Sequence, residues 1–234
     1  VSAFIEPEWS APANVRALLL RDAGMGAHVM PPGLPVLPGA PRWLRQVHGI
    51  DVVDLDARMP PGTEPEGDAA VSRTPGVICA IRTADCLPVV FAAMDGSTVG
   101  VAHAGWRGLV AGVLEATVAS MRALMAREVP LVAWLGPAIG AANFEVGDEV
   151  REAFVQRDPA AAAAFVKNPR GRWQCDLYLL ARQRLEGSGV SDISGGGLCT
   201  YADPHRFHSY RRDLHLGKPT TGRMATLIWI ESAP

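Results

Sequence analysis

Apolar residues recur along this chain with two different periods. Asn14 to Leu20 (NVRALLL), Val77 to Ile81, Val89 to Phe91, STVGVAHAG and PLVAWLG are short apolar runs between Gly or Pro breaks, the pattern of buried strands. From Leu109 the spacing changes: Leu109, Val110, Val113, Leu114, Val118, Met121, Leu124 and Met125 recur at three and four, one face of a helix. A second helix is predicted in VGDEVREAFVQRD, interrupted by Pro159, and a third in DLYLLARQRLEGSGV, ending near Gly187. RWLRQVHGIDVVDLD reads as a strand or hairpin with its turn near His48. Asp22 to Pro41 and MPPGTEPEGD are Gly/Pro-rich loops, and the tail from LCTY to LIWI reads as a His- and Arg-rich loop between two strand-like pieces. Alternating elements of this kind predict a mixed α and β fold, and 234 residues fit one domain over 1–234.

Composition narrows the function classes. Twenty-two basic against 24 acidic residues leave a formal charge of −2, so no global field draws the protein to nucleic acid or a membrane surface, and any anion site must be local. No apolar run approaches the roughly 20 residues that span a bilayer. Cys79, Cys86, Cys175 and Cys199 form no CxxC pair, which fits a reducing, cytoplasmic setting.

In RTADCLPVV, Asp85 and Cys86 interrupt an apolar run, where an acid and a thiol each need a reason. His48 in QVHG and His103 in AHAGWRG stand at similar strand ends, where scaffolds present functional side chains. One thiolate and two imidazoles fill three positions of a tetrahedral zinc and leave the fourth for water, whose pKa falls to about 7. The separations of 38 and 17 residues match no local metal signature, and a Cys/His nucleophile needs the same groups. Copper also accepts two His and one Cys, but six histidines without a His-x-His pair rank it below zinc. Asp85 can orient a histidine, accept a proton, steer substrate or cap a turn. Arg107 falls at the start of the long helix, a place for phosphate, and Arg211, Arg212 and Arg223 add guanidinium groups. Gln46 is a candidate substrate contact.

With QVHG, GDAAV, TADCLPVV, VGVAHAGWRG, LGPAIG, FEVGDEV, CTY, SYRRD and TGRMATLIW in this order, the chain resembles the YfiH-type polyphenol oxidoreductase or laccase-domain family over about residues 43–230. The resemblance implies an α+β domain with mixed β-sheets packed between helices and a zinc held by His48, Cys86 and His103. It also implies phosphorolysis of adenosine, guanosine, inosine and methylthioadenosine, with deamination of adenosine. On that reading Asp85, Cys86 and His103 are catalytic, and Gln46, Arg107, Arg212 and Arg223 bind nucleoside and phosphate. The expected protein is a monomer or small homo-oligomer. The cytidine-deaminase signature H-x-E with PCxxC is missing, which makes Asp85 the acid/base candidate for deamination. Ala142 and Asn143 stand where relatives often carry Cys-Cys, and His208 where a second Phe is usual. The alternatives are a hydrolase that edits peptidoglycan precursors, a copper-dependent polyphenol oxidase, and a non-catalytic zinc protein.

Overall fold

The apolar runs form strands buried on both faces, and side-chain alternation decides what each face meets. A computed structural model describes residues 4–22, 36–57, 60, 62–219 and 222–232 of the chain; residues 23–35 of the first predicted loop lie outside them. In chain order the elements are β1 (Phe4–Ile5), β2 (Val15–Leu20), β3 (Arg42–Trp43), β4 (Val52–Asp54), β5 (Ala69–Ser72), β6 (Cys79–Thr83), β7 (Leu87–Ala93) and β8 (Val99–Ala104). Then come helices α1 (Trp106–Ala111) and α2 (Val113–Leu124), β9 (Leu131–Leu135), β10 (Glu145–Val146), α3 (Asp148–Arg157), β11 (Phe165–Lys167) and β12 (Trp173–Cys175). Helix α4 (Leu177–Gly187), β13 (Asp192–Gly195), α5 (Tyr210–His215) and β14 (Met224–Ile230) complete the chain.

Two mixed sheets carry the fold, with strand orders β1-β2-β14-β6-β3 and β13-β9-β7-β8-β5-β4. They face each other across Leu19, Ile81, Met224 and Ile228 from the first and Val90, Val101, Val132 and Trp134 from the second. Along β7 the period of two is strict. Val90 and Ala92 point into that inter-sheet layer, while Leu87, Val89 and Phe91 point the other way, into a core shared with the helices. There they pack with Leu109 of α1, Leu114, Val118 and Met121 of α2, Phe154 of α3 and Leu180 of α4. The result is the expected α+β architecture.

Three local expectations are corrected, each for a physical reason. RWLRQVHGIDVVD is not a hairpin: β3 pairs with β6 in one sheet and β4 with β5 in the other, so residues 44–51 cross between sheets. RTADCLPVV is likewise two strands, with residues 84–86 crossing from β6 to β7. The second crossing is hidden in the sequence because β6 and β7 on either side of it are both buried. His103 is the penultimate residue of β8, at the strand end before the turn, where it was expected. The long helix breaks at Gly112, whose φ of 111° closes α1 and opens α2. The short strands β10, β11 and β12 give no alternation signal, having two or three residues each, and α5 occupies part of the predicted tail loop.

The two crossings meet at the start of α1. A Cβ on Gly108 would come within 2.9 Å of the Gly49 carbonyl oxygen, so the helix backbone lies directly on the turn that carries His48. Gly108→Ala is therefore expected to lower the unfolding free energy by about 1–3 kcal/mol, the usual cost of overpacking. Urea denaturation checks this, and a midpoint equal to that of the unsubstituted protein contradicts the close approach.

Candidate metal centre and active-site cleft

The structure brings His48, Cys86 and His103 together. One donor atom from each lies within 4.8 Å of the others, and Cys86 Sγ is 3.9 Å from His48 Nε2. The imidazoles meet edge to face with centroids 4.8 Å apart. His48 is exposed, Cys86 half-buried and His103 buried, so the cluster opens on one side. Gly105 makes room for it: a Cβ there would sit 2.9 Å from His48 Cδ2 and 3.0 Å from Cys86 Sγ. Two imidazoles and a thiol at this spacing fit a metal ion with a free position.

Two of the supporting residues adopt left-handed backbone, His48 at φ 63° and Asp85 at φ 83°. Such conformations persist in non-glycine residues only when their surroundings over-determine them. For His48 that surrounding is Asp68, which is fully buried and which the sequence reading did not single out. Its Oδ1 accepts the His48 N–H at 2.9 Å, its Oδ2 accepts the Val47 and Gly49 N–H groups at 3.0 and 2.7 Å, and Oδ1 also lies 2.7 Å from His103 Nδ1. An acid immediately before the buried run Ala69–Val71 is the same kind of signal that drew attention to Asp85.

Asp85, expected to handle protons or orient a ligand, has both carboxylate oxygens engaged in hydrogen bonds. Thr200 Oγ1 donates to Oδ1, and Ser209 Oγ and the Arg211 N–H donate to Oδ2 at 3.0 and 2.7 Å. Ser209 is also the N-cap of α5. The turn-capping reading of Asp85 is thus what the geometry displays, and it ties the Cys86 crossing to α5.

A cleft of about 750 Å³ surrounds the cluster, lined by Arg45, Arg82, Arg107, Arg211 and Arg223 against the acids Glu64 and Asp85. Arg82 is bidentate to Glu64 and stacks on Trp43, and Arg45 pairs with Glu66. Arg107 stacks on Trp106 with its guanidinium carbon 4.4 Å from the ring centre. Among the described residues no carboxylate pairs with the side chains of Arg107, Arg211 or Arg223. Arg212, an expected phosphate ligand, instead donates to the carbonyls of Thr200, Tyr201 and Phe207 and lines no part of the cleft. On the short helix α5 the neighbouring Arg211 faces the cleft and Arg212 faces the loop behind it. Gln46 lines the cleft, but its amide accepts from the Arg82 N–H and donates to the Arg82 carbonyl, both at 2.8 Å, extending the ladder of β6.

The electrostatics favour a charged cluster. Burial pushes the Cys86 thiol up, yet hydrogen bonds and charge from His103 and His48 outweigh it and bring it down to about 6. Burial also works against a charged His103, but Asp68 and Cys86 hold it up to about 9. Asp68 stays below the usual carboxylate range: burial opposes this, and His103 with the Gly49 and Val47 N–H groups prevails. A metal ion held by His48, Cys86 and His103 would take the place of the His103 proton, and the lowered thiol pKa would make the thiolate it needs available. By contrast Cys79 and Cys175 are fully buried, and burial pushes their thiols far up.

Residues 34–231 match the family model described as multi-copper polyphenol oxidoreductase laccase. The chain belongs to this family. It is similar to a purine nucleoside phosphorylase of Xylella fastidiosa (53% identity, covering 83% of this chain and 74% of the relative) and to one of Pseudomonas aeruginosa (45%, covering 99% and 100%). The relative named purine nucleoside phosphorylase YfiH in Escherichia coli is 51% identical over 83% of this chain and 75% of its own length. Among solved structures, a Neisseria meningitidis protein superposes with a TM-score of 0.83 at 39% identity, covering 99% of this chain and 100% of its own. A Geobacillus stearothermophilus protein reaches 0.77 at 27% identity, covering 94% of this chain and 93% of its own.

The charged cluster has a direct readout. In metal-stripped protein Cys86 is expected to react with iodoacetamide with a midpoint near pH 6, because its thiol titrates at about 6. Peptide mass spectrometry separates it from Cys79 and Cys175, which stay unlabelled in the folded protein. A Cys86 midpoint near the free-thiol value of about 8.5 contradicts the arrangement.

Proposed function

We propose that this chain is a zinc-dependent purine nucleoside phosphorylase of the reducing cytoplasm, acting on adenosine, guanosine, inosine and methylthioadenosine. The observation that carries the reading is the convergence, in one cleft, of a three-ligand His/Cys/His cluster and three arginines without carboxylate partners. The names of the relatives supply the reaction class. Zinc ranks before copper because one thiolate and two imidazoles with an open position suit it. When bound by His48, Cys86 and His103, the metal supplies Lewis-acid polarisation of whatever oxygen or nitrogen it meets.

The chain's own residues do the rest. Arg107, Arg211 and Arg223 hold phosphate and orient one of its oxygens towards the ribose, the positioning that a loose, charge-rich transition state rewards. Arg211 is braced by its Nη1, which donates to the Glu145 carbonyl, and by Phe144 beneath it. Arg107 is braced by Trp106. Both keep donors free for an anion. An oxygen of hydrogen phosphate bonds to C1′ as the bond from C1′ to the purine nitrogen breaks, and the departing purine takes up the proton that the phosphate gives up. Ribose 1-phosphate and free base result. Asp85, with its carboxylate held by Thr200, Ser209 and Arg211, positions Cys86 and α5 rather than moving protons. Adenosine deamination, which the resemblance implies, belongs to the same proposal and is separable in the same assay by the appearance of inosine.

A second reading, a hydrolase of peptidoglycan precursors, would use the same cluster and a cleft of about 750 Å³ without any need for phosphate. Phosphate dependence separates the two. Inosine is expected to release hypoxanthine and ribose 1-phosphate only when phosphate is present, and Cys86→Ala is expected to lose both metal and turnover. Arg107→Ala should lower kcat/KM for phosphate by about 10–100-fold, the worth of a charge-assisted hydrogen bond, with little change in KM for the nucleoside. Base release that ignores phosphate, or release of an amino acid from a muramyl conjugate by zinc-loaded protein that leaves inosine intact, would count against the phosphorylase.

A further inference from the structure

We propose that Asp68 is the positioning residue that presets the metal centre, one buried carboxylate fixing both histidines before any metal arrives. The inference rests on the metal-site reading above and concerns a residue outside the three ligands. It begins with the strand register. Ala69 of β5 faces Ala102 of β8, and the next step of the ladder brings the His103 N–H to the Asp68 carbonyl at 2.7 Å. Asp68 and His103 are therefore cross-strand neighbours, and their side chains meet at 2.7 Å.

That contact selects a nitrogen. With Nδ1–H of His103 directed at the Asp68 carboxylate, Nε2 is the atom left with a lone pair for a cation. The same carboxylate accepts three consecutive backbone N–H groups, those of Val47, His48 and Gly49. A run of N–H groups closing on one anion is a stable concave arrangement, and it holds His48 in its left-handed conformation. So Asp68 sets the ring orientation of one ligand and the backbone of the other. Gly67 permits the approach: a Cβ there would meet Val53 Cγ2 at 2.8 Å and the Asp51 carbonyl oxygen at 3.1 Å.

Four donors explain why the residue is an acid rather than an amide. Each oxygen of Asp68 accepts two hydrogen bonds, whereas Asn would turn an NH₂ group towards two N–H donors and leave them unpaired. Asp68→Asn thus keeps the volume and removes half of the acceptor.

The test measures metal binding, with the metal itself as probe. Zinc affinity, by competition with a chelating indicator, is expected to fall 10–100-fold in Asp68→Asn, the range found for partners of metal-bound histidines. The cobalt-substituted variant is expected to show an altered absorption spectrum. Ser72→Ala, which removes a buried hydroxyl from the same strand and touches no ligand, should leave both unchanged. If Asp68→Asn fails to fold, the unsubstituted zinc protein still decides: long-range ¹H–¹⁵N spectra are expected to show His103 bound through Nε2 with a proton on Nδ1. Equal zinc affinity and an identical cobalt spectrum in Asp68→Asn, or His103 bound through Nδ1, overturn the proposal. Unsubstituted protein that takes up no metal at all would instead overturn the metal reading on which it stands.

Discussion

The hydrogen bonds of the Asp68 carboxylate are the constraint on which the rest of the site depends. A fully buried acid is costly unless donors replace the water it loses, and here four donors do so. Those donors belong to both histidine-bearing segments. The energy that keeps the carboxylate ionised in the interior is therefore the same energy that shapes the ligand cluster. Removing the acid would leave three backbone N–H groups and an imidazole unpaired in a buried corner.

The architecture explains why the cluster forms where it does. Two sheets packed face to face must be joined by chain that crosses between them, and both crossings of interest occur at one end. Residues 44–51 pass from β3 to β4 and residues 84–86 from β6 to β7. Each crossing needs a residue in left-handed backbone, and each is held by an aspartate: His48 by Asp68, and the turn at Asp85 by its own side chain bound to Thr200, Ser209 and Arg211. Helix α1 then begins between them, with Gly105 and Gly108 leaving space for the ligands and for the His48 turn. Arginines from several segments border the cleft that results, so the His/Cys/His cluster and the arginine rim share one scaffold.

Much of this was legible in the sequence, and what was not has definite causes. Cys86 is marked as a thiol inside an apolar run, and His48 and His103 by their places at strand ends and in the motifs that carry the family resemblance. Buried strands such as β7 and β8 and the apolar face of α2 announced themselves by period. The crossings did not, because apolar runs on both sides of a sheet change look like one strand or one hairpin. Arg211 and Arg212 are adjacent and chemically identical, and only the seating of α5 on Asp85 decides which of them faces the cleft. Asp68 escaped notice because its partners lie 19 to 35 residues away and three of them are backbone groups, which carry no signature in sequence.

One thiolate and two imidazoles, set by the meeting of the two crossings, are proposed to hold the metal in a cleft rimmed by arginines. X-ray absorption at the zinc edge of the loaded protein tests this most directly. One sulfur at about 2.3 Å and two imidazole nitrogens at about 2.0–2.1 Å are expected, with a further light ligand in the open position. A shell with no sulfur, or with four protein ligands and no open position, would contradict it.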